Sequence, residues 1–168
     1  MNAKPEPAGR FRTAPIFAKF FFTNFRNHTL APMAYARSLV LLVDDDPQAH
    51  FLHRRQIEKV CKGETEILTA TSGLEAIQIL GDRYVVGKRI PSHIFLDLQM
   101  PQMNGFEFLK AFESLPEPVR NTVAMYVVTS SRNPDDHTRA RSFGTVRDVI
   151  DKGEVASRIR DMALCNGI

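Results

Sequence analysis

The stretch from His93 to Phe108, HIFLDLQMPQMNGFEF, decides how the rest of the chain reads. Its first residues form a short apolar run that carries Asp97 to the carboxyl end of a strand, and Met100-Pro101 then turns the backbone before a helix can begin. Three other apolar runs end in polar groups: LVLLV in Asp44-Asp45-Asp46, VAMYVV in Thr129-Ser130, and DVID in Lys152. Taken singly, each has a plain structural reading. The aspartates suit a helix N-terminus, Asp97 an Asx turn, Thr129 a strand-end hydroxyl bonded to backbone, and Lys152 a solvated surface. Taken together, four strands ending in carboxylates, a hydroxyl and an ammonium describe one site.

Helices and strands alternate regularly along the chain. Residues 38–43 read as a strand buried on both faces, and Asp46-Pro47 supplies an N-cap and first-turn proline for a helix to about residue 61. Residues 65–70 form the second strand, and Ser72 caps a helix through Leu80. A long polar loop over 81–92 leads to the third strand at 93–97. Residues 106–114 are helical, with Phe106, Phe108 and Phe112 at core spacing. Residues 122–129 form the fourth strand, Asn133-Pro134 starts a helix to about 143, 148–151 form the last strand, and 154–165 the last helix. This is an α/β fold with a doubly wound, five-stranded parallel sheet.

Parallel strands bring their carboxyl ends to one edge of such a sheet, and ligands bind in the crevice there. Crowded carboxylates repel unless a cation lies among them, and Mg²⁺ takes one or two carboxylates while keeping waters and a substrate phosphate. A carboxylate can attack phosphorus to form an acyl phosphate, and a lysine and a hydroxyl can bind the remaining oxygens. The residues therefore point to Mg²⁺ and a phosphoryl group.

The set Asp44-Asp45, Asp97 within LDLQMPQMNG, Thr129 within VVTSS and Lys152 within VIDKG resembles the receiver domain of two-component response regulators, over residues 38–168. The resemblance implies a flavodoxin-like strand order 2-1-3-4-5 and a stand-alone, chemotaxis-type receiver. It implies that Asp97 accepts a phosphoryl group, that Asp44, Asp45, Asp97 and the backbone carbonyl of Gln99 hold Mg²⁺, and that Thr129 and Lys152 contact the phosphoryl group. The expected donor is a sensor histidine kinase or histidine phosphotransfer protein, and the output is binding of a further, unidentified protein. On this reading the chain is a cytoplasmic signalling domain rather than an enzyme. Two alternatives are a haloacid-dehalogenase-type phosphatase with Asp44 as nucleophile, which leaves Asp97 without a role, and a non-phosphorylated adaptor of the same fold.

The chain departs from the family pattern at three places. Receivers place a cis proline after the lysine, whereas Gly153 follows Lys152, and a cis bond there costs roughly 2.5–4 kcal/mol without proline. A trans bond and a differently shaped loop are expected. Val149 stands three residues before Lys152, where receivers commonly carry an aromatic switch. One residue more than usual separates Gly144 from Lys152.

At 168 residues, 43% hydrophobic and 24% charged, the chain can bury one full core. The formal charge of +3 is unevenly held: five basic residues against Glu6 give residues 1–32 a net +4 and leave residues 33–168 at −1. Nucleic-acid binding, which needs basic surface, thus finds no support in the globular part. Residues 1–37 read as a basic, disordered extension with no periodic pattern, and Met33 is an alternative start. The apolar run at residues 16–22 is interrupted by Lys19 and is too short for membrane insertion. Cys61 and Cys165 are too few for a disulfide framework, which fits a reducing cytosol. His53, Arg54, Arg55 and Lys59 read as a solvated helix face, and no chemistry is assigned to His50 or His53.

Overall fold

The structure is a computed structural model that describes residues 38–162 apart from residue 63. Residues 1–37, including Met33, lie outside it, as does the end of the expected last helix. The order of elements is β1 (Ser38–Val43), α1 (Pro47–Val60), β2 (Thr65–Ala70), α2 (Gly73–Val85), β3 (His93–Leu96), α3 (Gly105–Glu113), α4 (Glu117–Thr122), β4 (Ala124–Thr129), α5 (Pro134–Arg141), β5 (Val146–Asp151), a 3-10 turn (Lys152–Glu154) and α6 (Val155–Arg158). All strand pairs are parallel and the sheet order is β2-β1-β3-β4-β5, the doubly wound arrangement read from the sequence.

Strand position follows from composition. The apolar run of β1 is buried from Leu39 to Val43 because helices cover both faces of a central strand, whereas β2 at the sheet edge alternates with charged Glu66 and is mostly half-buried. Alternate side chains feed two cores. Val40, Leu42, Phe95, Val128 and Ile150 pack with Ile57 of α1 and with Val155 and Ile159, while Leu39, Leu41, Ile94, Leu96, Met125 and Val127 point to the opposite face. Phe108 and Phe112 are fully buried, with ring centroids 6.0 Å apart. Phe106 instead stays half-buried under the Arg139 guanidinium, 4.0 Å from its centroid.

Helix starts are set by side-chain caps. Asp46 accepts from the Gln48 N–H at 2.8 Å, Ser72 from Glu75 and Asn133 from Asp135. Asn104 and Glu107 form a reciprocal capping box that starts α3, an Asn-x-x-Glu signal present in the sequence but absorbed there into the preceding turn. Gly105 follows it for want of space. A Cβ there would lie 2.4 Å from the Asp97 carbonyl oxygen and 2.7 Å from Leu98 Cα, so only glycine lets α3 begin against the end of β3.

Several boundaries differ from the sequence reading. Helix α2 runs through Gly81 to Val85, because the apolar spacing continues past Leu80 and one glycine does not stop a packed helix. Helix α4 has no counterpart in the sequence reading: its six residues follow Pro116 and carry Pro118, so they read as a linker rather than a periodic segment. The extra residue before Lys152 is resolved by a β-bulge. Met125 pairs with Val146 but Tyr126 pairs with Asp148, so Arg147 is the surplus residue, and Val149, Ile150 and Asp151 regain register with Val127, Val128 and Thr129.

The reading of α1 as carrying a solvated basic face is corrected at His53, which is buried at 4% exposure. Arg54 donates to the Ile67 carbonyl at 3.3 Å, and Arg55 lies over the exposed Phe51 ring. Cys61 is buried and disulfide-bonded, which a reducing cytosol did not lead one to expect.

Candidate functional site

The carboxyl ends of β1 and β3 are bound to their neighbours by backbone bonds that aim the aspartates outward. The Asp44 N–H donates to the Ala70 carbonyl at 3.0 Å, and the Asp97 N–H to the Val43 carbonyl at 2.8 Å. Both acids are buried, whereas Asp45 is exposed. Ligand oxygens of Asp44, Asp45 and Asp97 all lie within 4.8 Å of one another, close enough to share one cation. Asp44 Oδ1 accepts from the Asp46 N–H at 3.0 Å, and Asp97 Oδ1 from the Leu98 N–H at 2.8 Å, which fixes both carboxylates by local backbone donors.

Lys152 closes the site from the end of β5. Its Nζ lies 2.7 Å from Asp44 Oδ2 and 3.1 Å from Asp97 Oδ2. Burial disfavours the ammonium, but hydrogen bonds and charge from the two aspartates outweigh it and hold the lysine above the ordinary lysine range. Asp97 moves upward in the opposite balance. Burial raises its pKa, as does the Asp44 charge, while Lys152 and the Gln99 backbone N–H restrain the shift. A carboxylate whose anion is costly to bury, with an ammonium on one oxygen, has the chemistry to serve as a nucleophile with a counter-charge in place.

The remaining expected residues are placed differently. Thr129 is buried at the end of β4, next to β3, but its Oγ1 accepts the Ser131 N–H at 3.0 Å, and no hydrogen bond joins it to the carboxylates among the described residues. Ser131 in turn donates to Asp136 Oδ2 at 2.6 Å, which anchors the loop after β4 to α5. Gln99 is exposed and faces Asp97 with its backbone N–H. His53, assigned no chemistry in the sequence, stands close enough to feel both Asp44 and Lys152. Burial lowers its pKa, the Asp44 charge opposes that, and Lys152 and His50 reinforce it. Its position seven residues past Asp46 on α1 gave no sign of this, because α1 passes over the strand edge only in the folded chain.

The lysine loop contains no cis peptide bond, in line with the absence of proline. Lys152, Gly153 and Glu154 form the 3-10 turn, capped by the Asp151 side chain, whose Oδ1 accepts the Gly153 N–H at 2.7 Å.

Residues 40–164 match the model of the response regulator receiver domain, and the chain belongs to that family. It is 26% identical over 132 residues to the two-component response regulator ORR1 of Oryza sativa subsp. indica, covering 76% of this chain and 54% of that protein. It is 33% identical over 109 residues to protein-glutamate methylesterase/protein-glutamine glutaminase 2 of Rhodospirillum rubrum, covering 62% of this chain and 25% of the other. The chain thus spans about half the length of the first relative and a quarter of the second. Among solved structures, a two-component response regulator from Cytophaga hutchinsonii superposes with a TM-score of 0.63 at 29% identity, over 76% of this chain and all of the other. Membership displaces the haloacid-dehalogenase alternative. Among the described residues, no helix is long and apolar enough to cross a membrane.

Proposed function

We propose that this chain is a phosphoacceptor that takes a phosphoryl group on Asp97 from a histidine kinase or histidine phosphotransfer protein and signals through altered binding of a further protein. The observation that carries the reading is the Asp97 carboxylate, buried at the end of β3, with Lys152 Nζ 3.1 Å from one oxygen and two further aspartates within 4.8 Å. An Asp97 oxygen attacks phosphorus, the bond to the donor nitrogen breaks, and an acyl phosphate forms. Asp44, Asp45, Asp97 and the Gln99 carbonyl would hold Mg²⁺, whose chemistry here is to offset charge on the transferring group. Lys152 then pairs with a phosphoryl oxygen in place of a carboxylate, and Thr129, whose oxygen accepts from Ser131, keeps its hydroxyl hydrogen to donate to another.

The chain acts on no separate substrate in this reading, and the esterase activity in the name of the Rhodospirillum rubrum relative is not carried over, since the likeness covers a quarter of that protein. We read the chain as cytoplasmic, where the expected phosphoryl donors act, with residues 1–37 as an extension to the domain. The near-neutral charge of residues 33–168 supports a protein partner rather than nucleic acid. The test is incubation with a small acyl phosphate with and without Mg²⁺. One phosphoryl group per chain is expected with the metal, and none after chelation; equal labelling in both would remove the metal-assisted reading.

A further inference from the structure

We propose that Asp151 and Gly153 act together as a positioning pair that aims Lys152 at the acidic cluster, in the place where a proline ring would otherwise set the loop. The inference rests on the phosphoacceptor reading above and adds residues that the reading does not use.

Lys152 has a long reach to make. It leaves β5 at the sheet edge and must extend past β4 to Asp97, at the end of β3, and to Asp44, at the end of β1. A lysine stem has several rotatable bonds, so its head is localised only if its backbone is held. The structure holds it from both sides. Asp151 before the lysine and Gly153 after it are joined by the Oδ1 bond to the Gly153 N–H at 2.7 Å, which closes a turn around Lys152. Proline at 153 has no N–H to give.

A second observation makes the pair reciprocal. A Cβ at residue 153 would lie 3.1 Å from Asp151 Oδ1, a contact that pushes against the same oxygen that accepts the bond. The donor requirement excludes proline, and any residue larger than glycine has to shift the Asp151 carboxylate by a few tenths of an ångström. Asp151 is exposed and forms no ion pair among the described residues, so this bond is the use its carboxylate finds. The Arg147 bulge belongs to the same arrangement, because it restores the register that delivers Asp151 opposite Thr129.

The experiment compares full chains of wild type, Asp151→Ala, Asp151→Asn and Lys152→Ala for affinity toward beryllofluoride, a mimic of a bound phosphoryl group, at saturating Mg²⁺, and separately for Mg²⁺ affinity. Asp151→Ala should bind beryllofluoride about fivefold more weakly, the effect of losing one net hydrogen bond, with Mg²⁺ affinity unchanged. Asp151→Asn keeps the oxygen acceptor and should restore wild-type affinity. Exchange of the Gly153 amide, followed by NMR without metal, should speed up in Asp151→Ala and not in Asp151→Asn. Wild-type beryllofluoride affinity in Asp151→Ala, or no recovery in Asp151→Asn, overturns the pair. Lys152→Ala separates the levels. If it too loses affinity, the site reading stands and the Asp151 result judges the pair alone. If it binds as wild type does, the site reading falls and takes the pair with it.

Discussion

At the residue scale the site is built from groups that do different work despite being the same amino acid. Asp44 and Asp97 are buried and share the Lys152 ammonium, while Asp45 is exposed and carries no ion pair among the described residues. Asp45 is therefore the carboxylate with most to offer a cation. Since loss of a mere supporting group at metal sites costs roughly 10–100-fold in affinity, Asp45→Ala should weaken Mg²⁺ binding at least about tenfold. Calorimetry on the two proteins checks this, and equal affinities would remove Asp45 from the ligand set. Asp97, Asp45, Asp44 and Lys152 were legible in the sequence because each ends an apolar run, and strand ends meet in this fold. His53 and the Asp151 cap were not legible. Nothing in a helix pattern marks which polar side chain will lie over the sheet edge, and an aspartate beside a glycine has many uses.

At the element scale, the caps at Asp46, Ser72 and Asn133 follow directly from local chemistry and the strand order from the family resemblance, whereas α4 and the β5 start follow from neither. Hairpin-free parallel sheets fix register by packing rather than by turns, so the place of a surplus residue shows only when partners are paired. Arg147 is that surplus. Deleting Arg147 should remove the bulge and leave Lys152 at the site, because Val149 to Asp151 keep their partners. Deleting Val149 as well should shift the strand by one, turn Ile150 out of the core and displace Lys152. Acyl phosphate labelling distinguishes them, with activity retained in the first deletion and lost in the second. Loss in both would mean that the bulge itself shapes the site.

At the scale of the whole molecule, stability should carry the imprint of buried histidine. His93 at the start of β3 has its pKa lowered to about 4, by burial first and by the charge of Arg147 second. Its ring stacks on Tyr126, and Nδ1 lies 2.9 Å from Ser92 Oγ. The unfolded chain binds this proton near pH 6.5 and the folded chain only near 4. Stability is thus fully present above 6.5 and is lost as the pH falls through that window, by roughly 2 kcal/mol between pH 7 and pH 5. Burial lowers the His53 pKa and acts in the same direction. Denaturant unfolding of wild type and His93→Phe at both pH values should show the smaller loss in the variant; identical losses would assign the acid sensitivity elsewhere. The oxygen that takes the phosphoryl group decides the assignment of the whole site. The full chain, treated with Mg²⁺ and an acyl phosphate, can be reduced with borohydride and mapped by mass spectrometry. The modification is expected on Asp97 and is expected to vanish in Asp97→Asn; modification of Asp44 or Asp45, or undiminished labelling of the variant, would contradict it.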